Sequence, residues 1–188
     1  MNNKIKLIGT VAIGYALDHV VGSRRFYTAT IRCCRKSGVI DFIPVMVPED
    51  MIVSDGRISV IGELRTYNTF QRHLKMYVYV EELSPATEAD FNCCMIDGSL
   101  CSIQKPHITV SGHMICKAVI AVNRPYGKSS YIPCVAWNEK AERLASFKIG
   151  ERVRVSGRLQ SRLYIKEEEH HTCYELSLNS IEEVPHER

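Results

Sequence analysis

The sequence lacks most of the features that would settle its chemistry at once. Its 188 residues carry a formal net charge of only +3, too weak a field to argue for a polyanionic partner, so any basic surface must come from local placement. No segment reaches the ~18 apolar residues of a membrane helix, and the opening MNNKIKLIGTV has no apolar core of a signal peptide. A cytoplasmic protein with no membrane association is expected. There is one tryptophan and there are eight cysteines, but no C-x-x-C pair. Cys33–Cys34 and Cys93–Cys94 are adjacent, and neighbours on a strand point to opposite faces, so neither pair chelates one ion easily. The remaining cysteines, 101, 116, 134 and 173, mostly sit in apolar runs of a chain with no export signal and read as reduced, small core residues. His170, His171 and Cys173 form the one Cys/His grouping, and without an evident fourth ligand it reads as a solvated hairpin tip. Asp41, Asp97 and the glutamates are scattered, with no paired carboxylates placed to hold metal ions, so neither enzyme chemistry nor a metal or cofactor is expected.

What the sequence does have is an internal repeat. A shift of 89 positions sets Gly9 on Gly98, Ile31 on Ile120, Arg35 on Arg124, Gly38 on Gly127 and Ile43-Pro44 on Ile132-Pro133. The shift then grows: ISVIGELRTYN (58–68) matches VRVSGRLQSRL at 95, and MYVYVEEL (76–83) matches YELSLNSI at 98. The second copy therefore has a longer middle connection and a longer last hairpin. Between the copies, SPATEAD (84–90) has the Ser, Pro and acidic residues of an exposed linker. The domains are placed at 1–84 and 92–184, with a linker at 85–91 and a short end at 185–188.

Within each copy, short runs rich in Val, Ile, Tyr and Thr are punctuated by Gly, Asn and Asp, the signal of a small all-β barrel. In the second copy strands are expected near 92–102, 113–123, 130–137, 151–163 and 172–181. One helix is expected, NEKAERLASFKIG, with Asn138 as its cap, Ala141, Leu144 and Ala145 on its buried face and Gly150 as its stop. Five strands with a helix between the third and fourth is the plan of an OB-fold, which binds oligonucleotides and oligosaccharides on one face. The first copy has the same strands, with no more than a helical turn between Val47 and Asp55. The expected fold is thus all-β: two tandem OB-folds, five-stranded Greek-key barrels.

On the third strand of the second copy, alternation puts Ile132, Cys134 and Ala136 inside and Tyr131, Pro133, Val135 and Trp137 outside. Arg124, Tyr126 and Lys128 lie on the hairpin beside them. On the fourth strand, Val153, Val155, Leu159 and Leu163 alternate with Arg152, Arg154, Arg158, Gln160, Arg162 and Tyr164, and Gly157 could carry a bulge that reverses parity beyond it. Aromatics interleaved with cations on a curved sheet suit single-stranded nucleic acid: bases stack on rings at ~1–3 kcal/mol each while cations track phosphates. Pro133, matched by Pro44, marks an edge or bulged position.

AVNRPYGKSSYIPCVAWNEKAE, followed by GERVRVSGRLQSRLYIK and YELSLNSIE, resembles the bacterial single-stranded DNA-binding protein family, in a two-OB-fold variant. FYTATIR and GELRTYN carry the resemblance into the first copy. It implies that Tyr126, Tyr131, Trp137 and Tyr164 stack bases. In the first domain Phe42 keeps the place of Tyr131, but Ser37 stands for Tyr126 and Pro48 for Trp137, while Tyr67 and Phe70 only loosely replace Tyr164. The second domain is therefore expected to dominate DNA binding. The family's flexible, acidic-tipped tail has no counterpart in EEVPHER, so replication or recombination proteins are not expected to be recruited that way.

The function expected is non-catalytic, sequence-tolerant coating and protection of single-stranded DNA in replication, recombination, repair or mobile-element transfer, at the nucleoid. The alternative is a primosome-type OB-fold scaffold that binds a helicase or initiator protein. Members of the resembled family wrap DNA around four OB domains, so a chain with two is expected to form a homodimer, helped by apolar edges starting at Ile5 and Asn92.

Overall fold

Period-2 alternation of buried and exposed residues, sustained along nearly every strand, builds two barrels from the two halves of the repeat. The computed structural model describes residues 3–53, 56–69, 73–166 and 169–185, with backbone only at 165, 166, 169 and 170. The first barrel uses β1 (Asn3–Val21), β2 (Arg24–Cys34), β3 (Ile40–Pro48), β4 (Arg57–Asn68) and β5 (Leu74–Pro85). β1 pairs antiparallel with β2 and β4, β2 with β3 and β4 with β5, and a parallel ladder between β3 and β5 closes the ring. The second uses β6 (Phe91–Ile103), β8 (Met114–Arg124), β9 (Lys128–Trp137), β10 (Arg152–Lys166) and β11 (Glu169–Glu183), with a two-residue β7 (His107–Ile108) beside β8. Its closure is again parallel, β9 with β11. The all-β, tandem OB reading holds, and each expected strand of the second copy is present within about three residues of its bounds.

The cores are the inward sets that alternation predicts. Ile5, Leu7, Ile31, Ile43, Val60, Leu64 and Val78 fill the first barrel, and Ile96, Ile120, Ile132, Val153, Leu159 and Leu176 the second. Matched glycines show why the repeat is visible. A Cβ on Gly9 would collide with the carbonyl oxygen of Arg32, and one on Gly98 with that of Ala121; Gly62 and Gly157 stand likewise against the carbonyls of Tyr79 and Ser177. Only glycine lets the backbones approach at these corners.

Each parallel closure is two residue pairs long: Val45↔Val78 and Met46↔Tyr79 in the first barrel, Leu176↔Cys134 and Ser177↔Val135 in the second. Pro44 and Pro133 immediately precede them. Antiparallel pairing with β2 or β8 runs unbroken across each proline, so its missing N–H falls on the side where the closing ladder has not yet begun.

Between β9 and β10 lies α1 (Glu139–Ala145), and a 3-10 turn, Glu49–Met51, holds the corresponding place in the first copy. Two details of the helix differ from expectation. The Asn138 side chain makes no cap; its Oδ1 accepts from the Met114 N–H at 3.2 Å, while its backbone carbonyl accepts from Ala141 and Glu142. The buried face is Ala141, Leu144 and Phe147, with Ala145 exposed, because the turn after Ser146 swings Phe147 inward.

By proximity the chain divides into two compact units, one of Lys4–Cys93 with Gln160–Cys173, the other of Cys94–Leu159 with the chain from Tyr174 on. The connecting segment after β5 is pinned rather than loose. Asp90 pairs with Arg57 at 2.6 Å and accepts from the Cys34 N–H at 2.6 Å. Burial pushes the Asp90 carboxyl up, but the Cys34 N–H and Arg57 outweigh it and hold the group below the usual carboxylate range.

None of the eight cysteines is in a disulfide; four are buried, three half-buried, and Cys101 is exposed. Burial, with Asp90 and Asp41 nearby, pushes the Cys33 thiol up to about 11, and burial pushes that of Cys134 up as well. Among the described residues no group of His, Cys, Asp and Glu is placed to hold a metal ion. The side chain of His170 lies outside the described residues. No helix among them is long and apolar enough to cross a membrane.

Candidate nucleic-acid interface

The β8–β9 hairpin carries the densest part of the candidate surface. Its last pair is Arg124↔Lys128, and Pro125, Tyr126 and Gly127 form the loop. Tyr126 sits at φ 63° and Gly127 at φ 67°. A left-handed conformation costs a non-glycine residue about 1–2 kcal/mol, and here it accompanies a side chain that is 98% exposed. Down β9, Tyr131 is 48% and Trp137 38% exposed, both on the outer face as alternation predicts. The edge of His113 meets the Trp137 ring, with centroids 6.4 Å apart. Val135, expected outside with them, is buried, since β11 closes the barrel on β9 at that residue. Opposite Val135 stands Lys117, a half-exposed cation on the same outer face that the sequence reading missed.

The hairpin arginine differs between the copies. In the first, Arg35 makes a bidentate ion pair with buried Asp41, at 2.7 and 2.6 Å, and Asp41 raises the Arg35 pKa. At the matching place in the second copy, Ser130 replaces the carboxylate, and the Arg124 Nε is buried without a hydrogen-bond partner. The guanidinium neutralised in the first barrel keeps its charge in the second.

Strand β10 places its arginines in distinct rows. Arg152 pairs with Ser99, Ser99 with Ala121, and Ala121 with Tyr131, so Arg152 and Tyr131 share one cross-strand row of the outer surface, three strand spacings of ~4.8 Å apart. Arg154, one row on, is engaged by Asp97 in a bidentate pair at 2.7 Å for both bonds. That pairing outweighs burial and holds the Asp97 carboxyl below its usual range. Arg154 therefore offers a phosphate much less net charge than Arg152 does. Val153, Val155 and Leu159 all remain buried, so Gly157 does not reverse the parity up to that point, and Arg158 stays half-exposed on the outer side. Beyond the barrel, Gln160 is buried and Arg162 and Leu163 are exposed; Tyr164 is 38% exposed and stacks on His171 at 5.4 Å.

In the first barrel Phe42 is 44% exposed, Ser37 is exposed and Pro48 buried. Tyr67 is exposed and meets Tyr77 edge-on at 5.9 Å. Phe70 lies outside the described residues. On the same outer face the Arg65 guanidinium covers the ring of Tyr79 at 3.6 Å and pairs with Glu63, so this ring is already occupied.

Comparison with known proteins follows this geometry. Residues 91–184 match the single-strand binding protein family. Single-stranded DNA-binding protein B of Bacillus subtilis (strain 168) is 34% identical over 85 residues, 42% of this chain and 75% of its own length. The crystal structure of the wild-type single-stranded DNA binding protein from Thermus aquaticus superposes over 99% of this chain and 94% of its own, with a TM-score of 0.80 at 18% identity. A deletion mutant of the same protein superposes with a TM-score of 0.74 at 17% identity, over 99% and 96%. The family match spans β6 to β11, the strands that present Tyr126, Tyr131 and Trp137, and the chain belongs to the single-strand binding protein family.

Proposed function

We propose that this protein binds and protects single-stranded DNA with little sequence preference, serving replication, recombination, repair or mobile-element transfer at the nucleoid. The observation that carries the reading is the β8–β9 surface: three solvent-facing aromatics, one held at positive φ, beside Arg124, Lys117 and Lys128, all inside the family match. Rings of this kind stack bases of any identity, and a cation left without a carboxylate can meet a phosphate. The domain at 92–184 is the principal platform. Arg152, Arg158, Arg162 and Tyr164 extend it, Arg154 contributes less, and Phe42 and Tyr67 form a lesser platform on the first domain. The working form is a homodimer, which brings together four OB domains through closed twofold pairing.

Titration with oligo(dT) at two salt concentrations tests the reading. Affinity should fall as salt rises, with a log-log slope of about 0.7 per neutralised phosphate. Trp137 is the one tryptophan, so its emission should be quenched as a base stacks on it. Unchanged emission at saturation would remove Trp137 from the site, and salt-independent or undetectable binding would overturn the reading as a whole.

A further inference from the structure

Asp41 is an acidic residue with 1% of its side chain exposed, and burying a carboxylate is costly unless every lone pair finds a donor. Arg35 supplies two of those donors. The others come from Ser161, far along the chain but in the same compact unit. The Ser161 N–H donates to Asp41 Oδ1 at 2.8 Å and its hydroxyl lies 3.4 Å from the same oxygen, while the Phe42 N–H donates to Ser161 Oγ at 3.0 Å. Two consecutive residues of β3 thus clasp one residue of the β10–β11 hairpin, where β10 has passed its last buried barrel residue, Leu159, and Gln160. Arg162, Leu163 and Tyr164 follow, all exposed, and Tyr164 is braced from across the hairpin by His171. The second copy has Ser130 in place of Asp41 and so has no carboxylate for a matching clasp.

We propose that Asp41 is a positioning residue for single-stranded DNA: by holding the hairpin backbone at Ser161, it sets where Arg162 meets a phosphate and Tyr164 a base. This rests on the reading given under Proposed function. An extended hairpin that is free to sway would have to be ordered each time DNA bound, and the clasp removes that cost in advance. It also explains a buried ion pair on a protein surface that could otherwise dispense with one.

The test uses the full chain and a long oligo(dT). Asp41→Asn, made together with Arg35→Gln so that no freed guanidinium takes up a phosphate instead, keeps the shape but removes the charge that gathers Ser161. It should lower affinity about five- to tenfold, a loss at the lower end of one stacking contact, and reduce the salt slope by about 0.7 as one phosphate contact is lost. Quenching of Trp137 should persist at saturation. Arg162→Ala should give the same slope change, and adding it to that double variant should give no further change. Ser161→Ala leaves the Arg35–Asp41 pair and the Ser161 N–H bond to Asp41 whole but removes the hydroxyl that accepts from the Phe42 N–H; it should lose affinity in the same direction by a smaller factor with unchanged thermal stability, and it decides the matter if the double variant does not fold. Wild-type affinity and slope in the folded variants, or additive losses for Asp41 and Arg162, would overturn the proposal while leaving the DNA-binding reading intact. Failure of the wild-type chain to bind oligo(dT) would remove both.

Discussion

Asp41 and Ser130 occupy the same place in two copies of one plan, and the difference between them decides what the neighbouring arginine can do. Ser130→Asp should rebuild the Arg35–Asp41 pair around Arg124, cancel its charge and lower oligo(dT) affinity several-fold, with a salt slope shallower by about 0.7; wild-type binding by this variant would show that Arg124 contacts no phosphate. Trp137→Ala and Tyr131→Ala should each lose about 1–3 kcal/mol of binding if bases stack there. If either variant instead melts the domain while the remaining folded protein binds normally, the ring is a structural residue. The aromatics were legible from the sequence because alternation on one strand fixes which side chains point out. The ion pairs were not. Asp97 and Arg154 lie 57 residues apart, and only the β6–β10 register makes them neighbours, so a cation counted on one strand turns out to be engaged from another. Lys117 was missed for a similar reason: it joins the aromatic face only through its pairing opposite Val135.

At the level of the elements, the repeated strands were readable because their cores require regular alternation, and the glycines because backbones meet there. Gly157→Ala would drive a methyl into the Ser177 carbonyl, and overpacking of this kind costs about 1–3 kcal/mol or more. A clear drop in the melting temperature is expected, and a variant as stable as wild type would show that β10 and β11 can separate at that corner without penalty. The segment after β5 looked like a free linker because composition reports solubility and not the partners that fold back on it. Its anchor, Asp90, has a depressed pKa. The stability it contributes is therefore present in full above the ordinary Asp value of about 3.9 and is lost as pH falls through the lower folded value. Asp90→Asn should flatten that acid limb in a pH series of melting temperatures; an unchanged limb would assign the acid sensitivity to other carboxylates. The helix was found where expected with Ala141 and Leu144 buried as read, but Ala145 is exposed and Phe147, past its last residue, is buried in its stead.

For the whole molecule, light scattering without DNA should give a mass of two chains at micromolar concentration, and a mass that stays at one chain with full DNA affinity would sink the homodimer. A fragment of residues 86–188 should bind oligo(dT) more tightly than one of residues 1–85. It should nonetheless show the shallower salt slope expected of the Asp41→Asn, Arg35→Gln variant, because it lacks the clasp. The two-domain plan was legible in the repeat, whereas the return of residues 160–173 to the company of the first copy was not, since no local pattern encodes it. That return has a consequence for cooperativity. The backbone passes from one unit to the other at residues 3–4, 93–94, 159–160 and 173–174, so neither unit can melt without disturbing a strand that continues into the other. Beads on a string unfold independently, but units that share their strands in this way should melt in one calorimetric transition, and two resolved transitions would show that each folds alone.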